Sequence, residues 1–357
     1  MIRHRGAFSL ALLLGSVNAA CVNLRPPPVP IASTLAGDAP TPVWTARAGR
    51  RLTGTLETRD NTLYGGGTDR KVYAVNLQSG EVRWSTRLPG MIAGGVLLSG
   101  DMVYAASSRP EGRIVALRAD NGKQIWRTST EAIGAPLAMV GGTLIAESQR
   151  GNVLALDPAT GKIRWHRRLG VSRVRAVSGG NGAVLVATTD SLFRLGPGGK
   201  VLRRAPSPGV ILSPWIRMGD GLVAGTTDSL VVSIRLSDLR SAWRVKVDAP
   251  VVGAPATSGD TVYAVSRRGT LYRITGDSAV TANPIVALSW PVTAPVTVLD
   301  GAILLGGADG TIRALRPEDG RELWRLRLLS PIELSPIPLP DGMLAIGGNG
   351  DIHRYRQ

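Results

Sequence analysis

The sequence predicts an all-β fold, an eight-bladed β-propeller of four-stranded antiparallel blades, its ring closed by N- and C-terminal strands. Three observations predict it. One motif recurs about every forty residues. Each copy has the period of strands and tight turns. The two ends of the repeating region are complementary half-repeats.

The clearest copies are KVYAVNLQSGEVRWSTRL (71–88), RIVALRADNGKQIWRTST (113–130), NVLALDPATGKIRWHRRL (152–169) and TIRALRPEDGRELWRLRL (311–328). Each holds an alternating apolar run, a short polar turn ending in Gly, and a second run carrying Trp. In the third copy, Val153 and Ala155 alternate with Leu154 and Leu156, so the strand has two distinct faces. The turn glycines Gly80, Gly122, Gly161 and Gly320 fall where a short hairpin needs a positive φ. Upstream of each hairpin lies a second pair of short runs, so one repeat makes four strands, the content of a propeller blade.

Trp44, Trp84, Trp126, Trp165, Trp243 and Trp324 mark the last strand of the repeat, where a large flat side chain fills the gap between neighbouring sheets. Their spacings are 40, 42, 39, 78 and 81 residues. The two double periods imply two repeats that have lost the marker, near Leu202 and near Ile285. Seven intervals of about 40 residues separate Trp44 from Trp324, which makes eight outer strands. Trp44 arrives in TPVWTARAG with no hairpin before it, and MLAIGGNGDIHRYRQ supplies inner strands with no Trp after it. Residues 41–49 are therefore expected to close the ring against 342–357, removing the open edge. Trp215 and Trp290 fall outside the marker register and are read as packing residues.

The N-terminal segment reads as an address. In residues 1–20, Arg3 and Arg5 precede an apolar stretch from Ala7 to Val17, too short to span a bilayer and suited to a signal-peptide core. Two processing fates are open. Ala19-Ala20 before Cys21 resembles the lipobox of a bacterial lipoprotein, with Asn18 where Leu is usual. Alternatively, cleavage after Ala19 leaves a soluble periplasmic protein. Lipidation is favoured because the chain's single cysteine lies at this spot. Residues 21–40 are Pro-rich and read as an extended tether, and 41–357 as the propeller.

Composition limits the chemistry. With one Cys and three His (His4, His166, His353), the fold holds no internal disulfide and no Cys/His metal cluster. Lys and Arg number 42 against 26 acids, a net charge of +16. Such a surface favours anionic partners, but the arginines are scattered along the chain, and they read first as charged guards on strand edges. No nucleic-acid partner is expected. The aspartates Asp120, Asp157, Asp238 and Asp319 occupy turns, where Asp has a structural use, so no catalytic residues are assigned.

VLALDPATGKIRW (153–165) resembles the PQQ-type propeller repeat, in which a hydrophobic run is followed by D-x-x-T-G-K and W. The resemblance covers about 44–357. One branch of that family comprises dehydrogenases that bind pyrroloquinoline quinone and a metal. Those are longer chains, many with an adjacent Cys-Cys pair that this sequence lacks. The other is the outer-membrane-protein assembly factor BamB, an eight-bladed, non-enzymatic lipoprotein, whose overall plan this chain matches. That resemblance implies a monomeric scaffold without cofactor, anchored through Cys21 on the periplasmic face of the outer membrane. It implies docking on the periplasmic domains of a BamA-like barrel-insertion protein. The partner-binding stretch of that family follows the fourth Trp and ends in Arg. Here HRRLGVSRVRAVSGG (166–180) places Val174 and Arg175 at its end. A family pair of aspartates before the next proline is absent from SPGVILSP (207–214). Two other readings stay open: a quinone-dependent dehydrogenase or its remnant, and a periplasmic propeller that binds an anionic glycan, lipid or peptide.

Mass spectrometry of the mature N-terminus separates the two processing fates. A lipid-modified Cys21 as first residue is expected, whereas an unmodified chain starting at Ala20 would select the soluble form.

Overall fold

A computed structural model describes residues 39–356, apart from 109–111, 170–175, 181–182, 212, 252, 277–279 and 300. Every named element is a strand. The strands form eight four-stranded antiparallel sheets. Seven are continuous in sequence: blade 1 at 52–87, blade 2 at 96–130, blade 3 at 138–168, blade 4 at 176–206, blade 5 at 216–246, blade 6 at 256–287 and blade 7 at 297–327. Blade 8 takes three strands from 337–356, and its outermost strand is Thr41–Arg47 from the other end of the propeller.

The closing strand pairs with Asp351–Arg356, with Thr45 opposite His353 and Arg47 opposite Asp351. Side chains reinforce the ladder. Thr45 Oγ1 lies 2.9 Å from His353 Nδ1, and Arg47 Nε donates to Asp351 Oδ1 at 2.7 Å. Residues 41–47 thus close the ring against the C-terminal strands, as the half-repeats predict.

The core is distributed as eight clusters, each lying between two adjacent blades. This explains the repeat pattern. The second and third strands of a blade are covered on both faces, so a strand such as Gly221–Gly225 is buried throughout. Val153 and Ala155 pack toward blade 4, while Leu154 and Leu156 pack toward blade 2. The two parities of one strand thus serve two different interfaces. Outer strands bury much less, as in Ile163–Arg168.

The marker tryptophans make the contacts between blades. Each stands at a register shift on the outer strand, as at Ala74/Val75 beside Trp84, and such a bulge re-aims a side chain out of the pleat. The residue opposite is small in five blades: Ala74, Ala116, Ala155, Ser233 and Ala314. In blade 8, Trp44 instead faces Arg354. The indoles reach the hairpin turn of the following blade. Trp44 Nε1 donates to Leu77 O at 2.9 Å, Trp84 to Ala119 O at 2.9 Å and Trp126 to Pro158 O at 2.8 Å. Trp165 donates likewise to Pro197 O. The same rings lie over the turn glycines Gly80, Gly122, Gly161 and Gly199, all at positive φ.

The two repeats without Trp are resolved in detail. In blade 4 the register puts Arg203, one residue beyond Leu202, in the marker slot, opposite Arg194. The next turn changes with it. Its positive-φ residue is Leu239, at 57°, and its buried side chain joins the cluster between blades 4 and 5. A leucine in this conformation costs about 1–2 kcal/mol, and its burial returns about as much. In blade 6, Asn283 stands opposite Arg273, but Ile285 and Val286 fill the contact with the following turn at Gly320. Trp215 and Trp290 are half-buried packing residues, the latter stacked under Arg313 at 4.1 Å.

Two glycines with the same φ separate backbone strain from the indole contact. A methyl on Gly161 (φ 71°) would stand 2.4 Å from the Trp126 ring, whereas one on Gly142 (φ 70°) meets nothing within 4 Å. Gly142→Ala should destabilise by roughly 1 kcal/mol from backbone strain. Gly161→Ala should cost roughly 1–3 kcal/mol more from overpacking. Urea denaturation of both variants checks this, and equal losses would refute the indole's role.

Candidate functional site

Outer strands end where their blade meets solvent, so the rim is where the repeat leaves side chains free for other work. A groove of about 700 Å³ opens there between blades 2 and 3. One wall is Ser129, Thr130 and Glu131, at the end of the blade 2 outer strand Gln124–Thr130. The other is Asn152 and Leu154 on the third strand of blade 3, with Ile163, His166, Arg167 and Arg168 on its outer strand.

Pairing explains this assembly. His166 lies opposite Leu154, and Arg168 opposite Asn152. Leu154 packs into the blade 2–3 core, so this parity faces the groove. Trp165, of the other parity, packs toward blade 4.

Polar contacts cross the groove. Asn152 Nδ2 donates to Glu131 Oε2 at 2.9 Å, and Arg150 NH1 lies 3.7 Å from Glu131 Oε1. Hydrogen bonds from Ser148 and Asn152, then the charges of Arg150 and Arg168, hold the Glu131 carboxyl below the usual glutamate range. Arg164, next along the strand, is engaged elsewhere. It donates to Asp157 Oδ2 at 2.6 Å and pulls that carboxyl down to about 2. One compensated carboxylate thus shares the groove with His166 and Arg168, with Arg167 also in the lining. The groove's lining is net cationic, with Leu154 and Ile163 as its apolar part, and such a lining favours anionic groups.

The six marker tryptophans all occupy outer strands and pack with interblade clusters. Cys21, Val174 and Arg175 lie outside the described residues. The groove was missed in the sequence because its walls come from separate repeats. The available signal was the run His166-Arg167-Arg168, a local concentration within a charge read as scattered.

A closed ring of eight four-stranded blades, joined by outer-strand tryptophans, defines a propeller of the PQQ-type repeat class. The chain belongs to the family of the outer membrane protein assembly factor BamB, whose model matches residues 34–179 and 172–333. It is 25% identical over 295 residues to BamB of Salmonella typhimurium, covering 65% of this chain and 74% of that one. It is 25% identical over 328 residues to BamB of Yersinia pestis, with 80% of each chain covered. The fold is similar to the crystal structure of BamB from Moraxella catarrhalis, with a TM-score of 0.75 at 16% identity, covering 90% of this chain and 98% of that one.

The Glu131 cluster has a defined pH signature. A depressed native carboxyl contributes stability that is present above the unfolded pKa and lost as pH falls through the native one. Carboxyl NMR should find Glu131 titrating below an ordinary glutamate, and Asn152→Ala should move it upward. No movement would show that Asn152 does not hold the carboxylate.

Proposed function

We propose that this chain is a non-enzymatic scaffold of the machinery that assembles β-barrel proteins into the outer membrane. The observation that carries the reading is the family match across 34–333, together with the complete eight-bladed ring. In this reading residues 1–20 are removed on export and Cys21 carries a lipid. Residues 21–40 tether the propeller to the periplasmic face of the membrane.

The propeller's role is to present a rigid surface to a partner. Cores distributed between every pair of blades hold the rim in one shape, so a docking partner meets a preorganised surface and less binding energy is lost to ordering it. The partner class we assign is the periplasmic domains of a BamA-like barrel-insertion protein. Val174 and Arg175 are proposed contact residues, on the strength of the family resemblance. The cationic groove of blade 3 supports a charge-steered encounter.

Affinity purification of the tagged full chain from detergent-solubilised native membranes tests the reading. Recovery of the barrel-insertion protein is expected, with reduced recovery for Arg175→Glu. A purification that returns the propeller without any barrel-assembly component would overturn it.

A further inference from the structure

Among the described residues each outer strand has one unpaired hydrogen-bonding edge, and such edges recruit foreign strands unless they are guarded by charge, proline or a bulge. A bulge is common to all eight, so charge and proline are what distinguish them. The eight edges are unequally guarded. Blade 3 (IRWHRR) carries three Arg, and blade 7 (ELWRLR) one Glu and two Arg. Blade 1 (VRWSTR) has two Arg, and blade 5 (SAWRVK) has Arg and Lys. Blades 4, 6 and 8 contain Pro206, Pro284 and Pro42. Blade 2 is different: QIWRTST (Gln124–Thr130) has a single charge in seven residues and no proline.

Three further facts distinguish this edge. Its ladder to the third strand runs from Gly112–Thr130 to Leu117–Gln124, with one shift beside Trp126. Trp126 and Thr128 face blade 3, where Thr128 Oγ1 donates to Gly161 O at 2.6 Å. This leaves Ile125, Arg127 and Ser129 exposed, and Ile125 is 43% accessible. Finally, the edge borders the cationic groove, whose far wall carries His166, Arg167 and Arg168.

We propose that the blade 2 edge takes a fifth strand from a partner, an extended acidic segment with carboxylates at every second residue. Backbone hydrogen bonds to Gln124–Thr130 supply affinity. With side chains alternating across the strand, one parity meets the basic wall of blade 3 and the other runs beside Ile125. Charge selects acidic segments over basic ones. The inference deepens the docking reading above and rests on it, naming where and by what chemistry a partner is held.

The test uses the full chain and a labelled synthetic nonapeptide of alternating Glu and Val, followed by fluorescence anisotropy. Saturable binding that weakens as salt rises is expected. Methylating alternate amides of the peptide, replacing its Glu by Lys, or introducing Ile125→Glu or Arg168→Glu in the protein should each weaken binding by about tenfold or more. Thermal melting should confirm that the two protein variants stay folded. Equal binding by the methylated peptide would overturn strand addition, and equal binding by the folded variants would overturn the location. Membrane purification separates this inference from the broader reading. If wild type and a variant combining Ile125→Glu with Arg168→Glu recover the barrel-insertion protein equally, the blade 2 edge falls and the scaffold reading stands. If the peptide binds at this edge and neither chain recovers that protein, the scaffold reading falls and the edge stands.

Discussion

The contact on which the ring depends is the indole of one blade resting on the hairpin turn of the next. Trp44, Trp84, Trp126 and Trp165 each donate to a carbonyl in the following turn, and each ring covers the positive-φ glycine of that turn. Both halves are required. The glycine lets the ring approach, and the ring shields a turn that would otherwise leave a backbone carbonyl partly desolvated without a partner. A net hydrogen bond contributes only about 1 kcal/mol. The larger effect is geometric, because the indole sets the spacing and angle between sheets, and the four clusters at these interfaces share that spacing.

This contact also explains the irregular blades. Where Arg203 replaces the indole, the glycine has no ring to accommodate, and Leu239 occupies the position with its side chain in the vacated volume. Where blade 6 lacks it, Ile285 and Val286 cover Gly320 instead. The volume between strand and turn is therefore filled in both cases, by a changed turn residue in one and by changed strand residues in the other, as close-packed interiors require. At the closure the same hook is supplied in trans along the chain. Trp44 comes from the first strand of the ring, and Arg354, opposite it on the C-terminal strand, donates to the same Leu77 carbonyl at 2.7 Å. The two chain ends are locked to each other and to blade 1 at one point.

Most of the fold was legible because its determinants lie within one repeat. A Trp, a turn Gly and an alternating run fall within about twenty residues, and counting them returned eight blades and the closing strand. The missing-marker positions were legible to within a residue or two, since spacing alone does not reveal a bulge or a substitute such as Val286. The groove was not legible. Glu131, Asn152 and Arg168 belong to different segments and meet only when blade 3 is placed beside blade 2. The sequence weighed the arginines as guards on edges, and this holds for most outer strands. It could not show that one edge lacks such a guard while its neighbour carries a surplus.

Blade geometry separates the residues that specify the fold from those available for recognition. On an outer strand, one parity is committed to the next blade, as Trp126 and Thr128 are, and it cannot vary without loosening the ring. The alternate parity and the unpaired backbone edge carry no such duty, so Ile125, Arg127 and Ser129 can be set by a partner. The same argument applies to the neighbouring blade, where Trp165 is fixed while His166 and Arg168 face the groove. Recognition in this architecture is therefore expected at the rim and between adjacent blades, where one blade offers an edge and the next offers charge. A pair of blades, rather than a single repeat, is the smallest unit that can specify a partner.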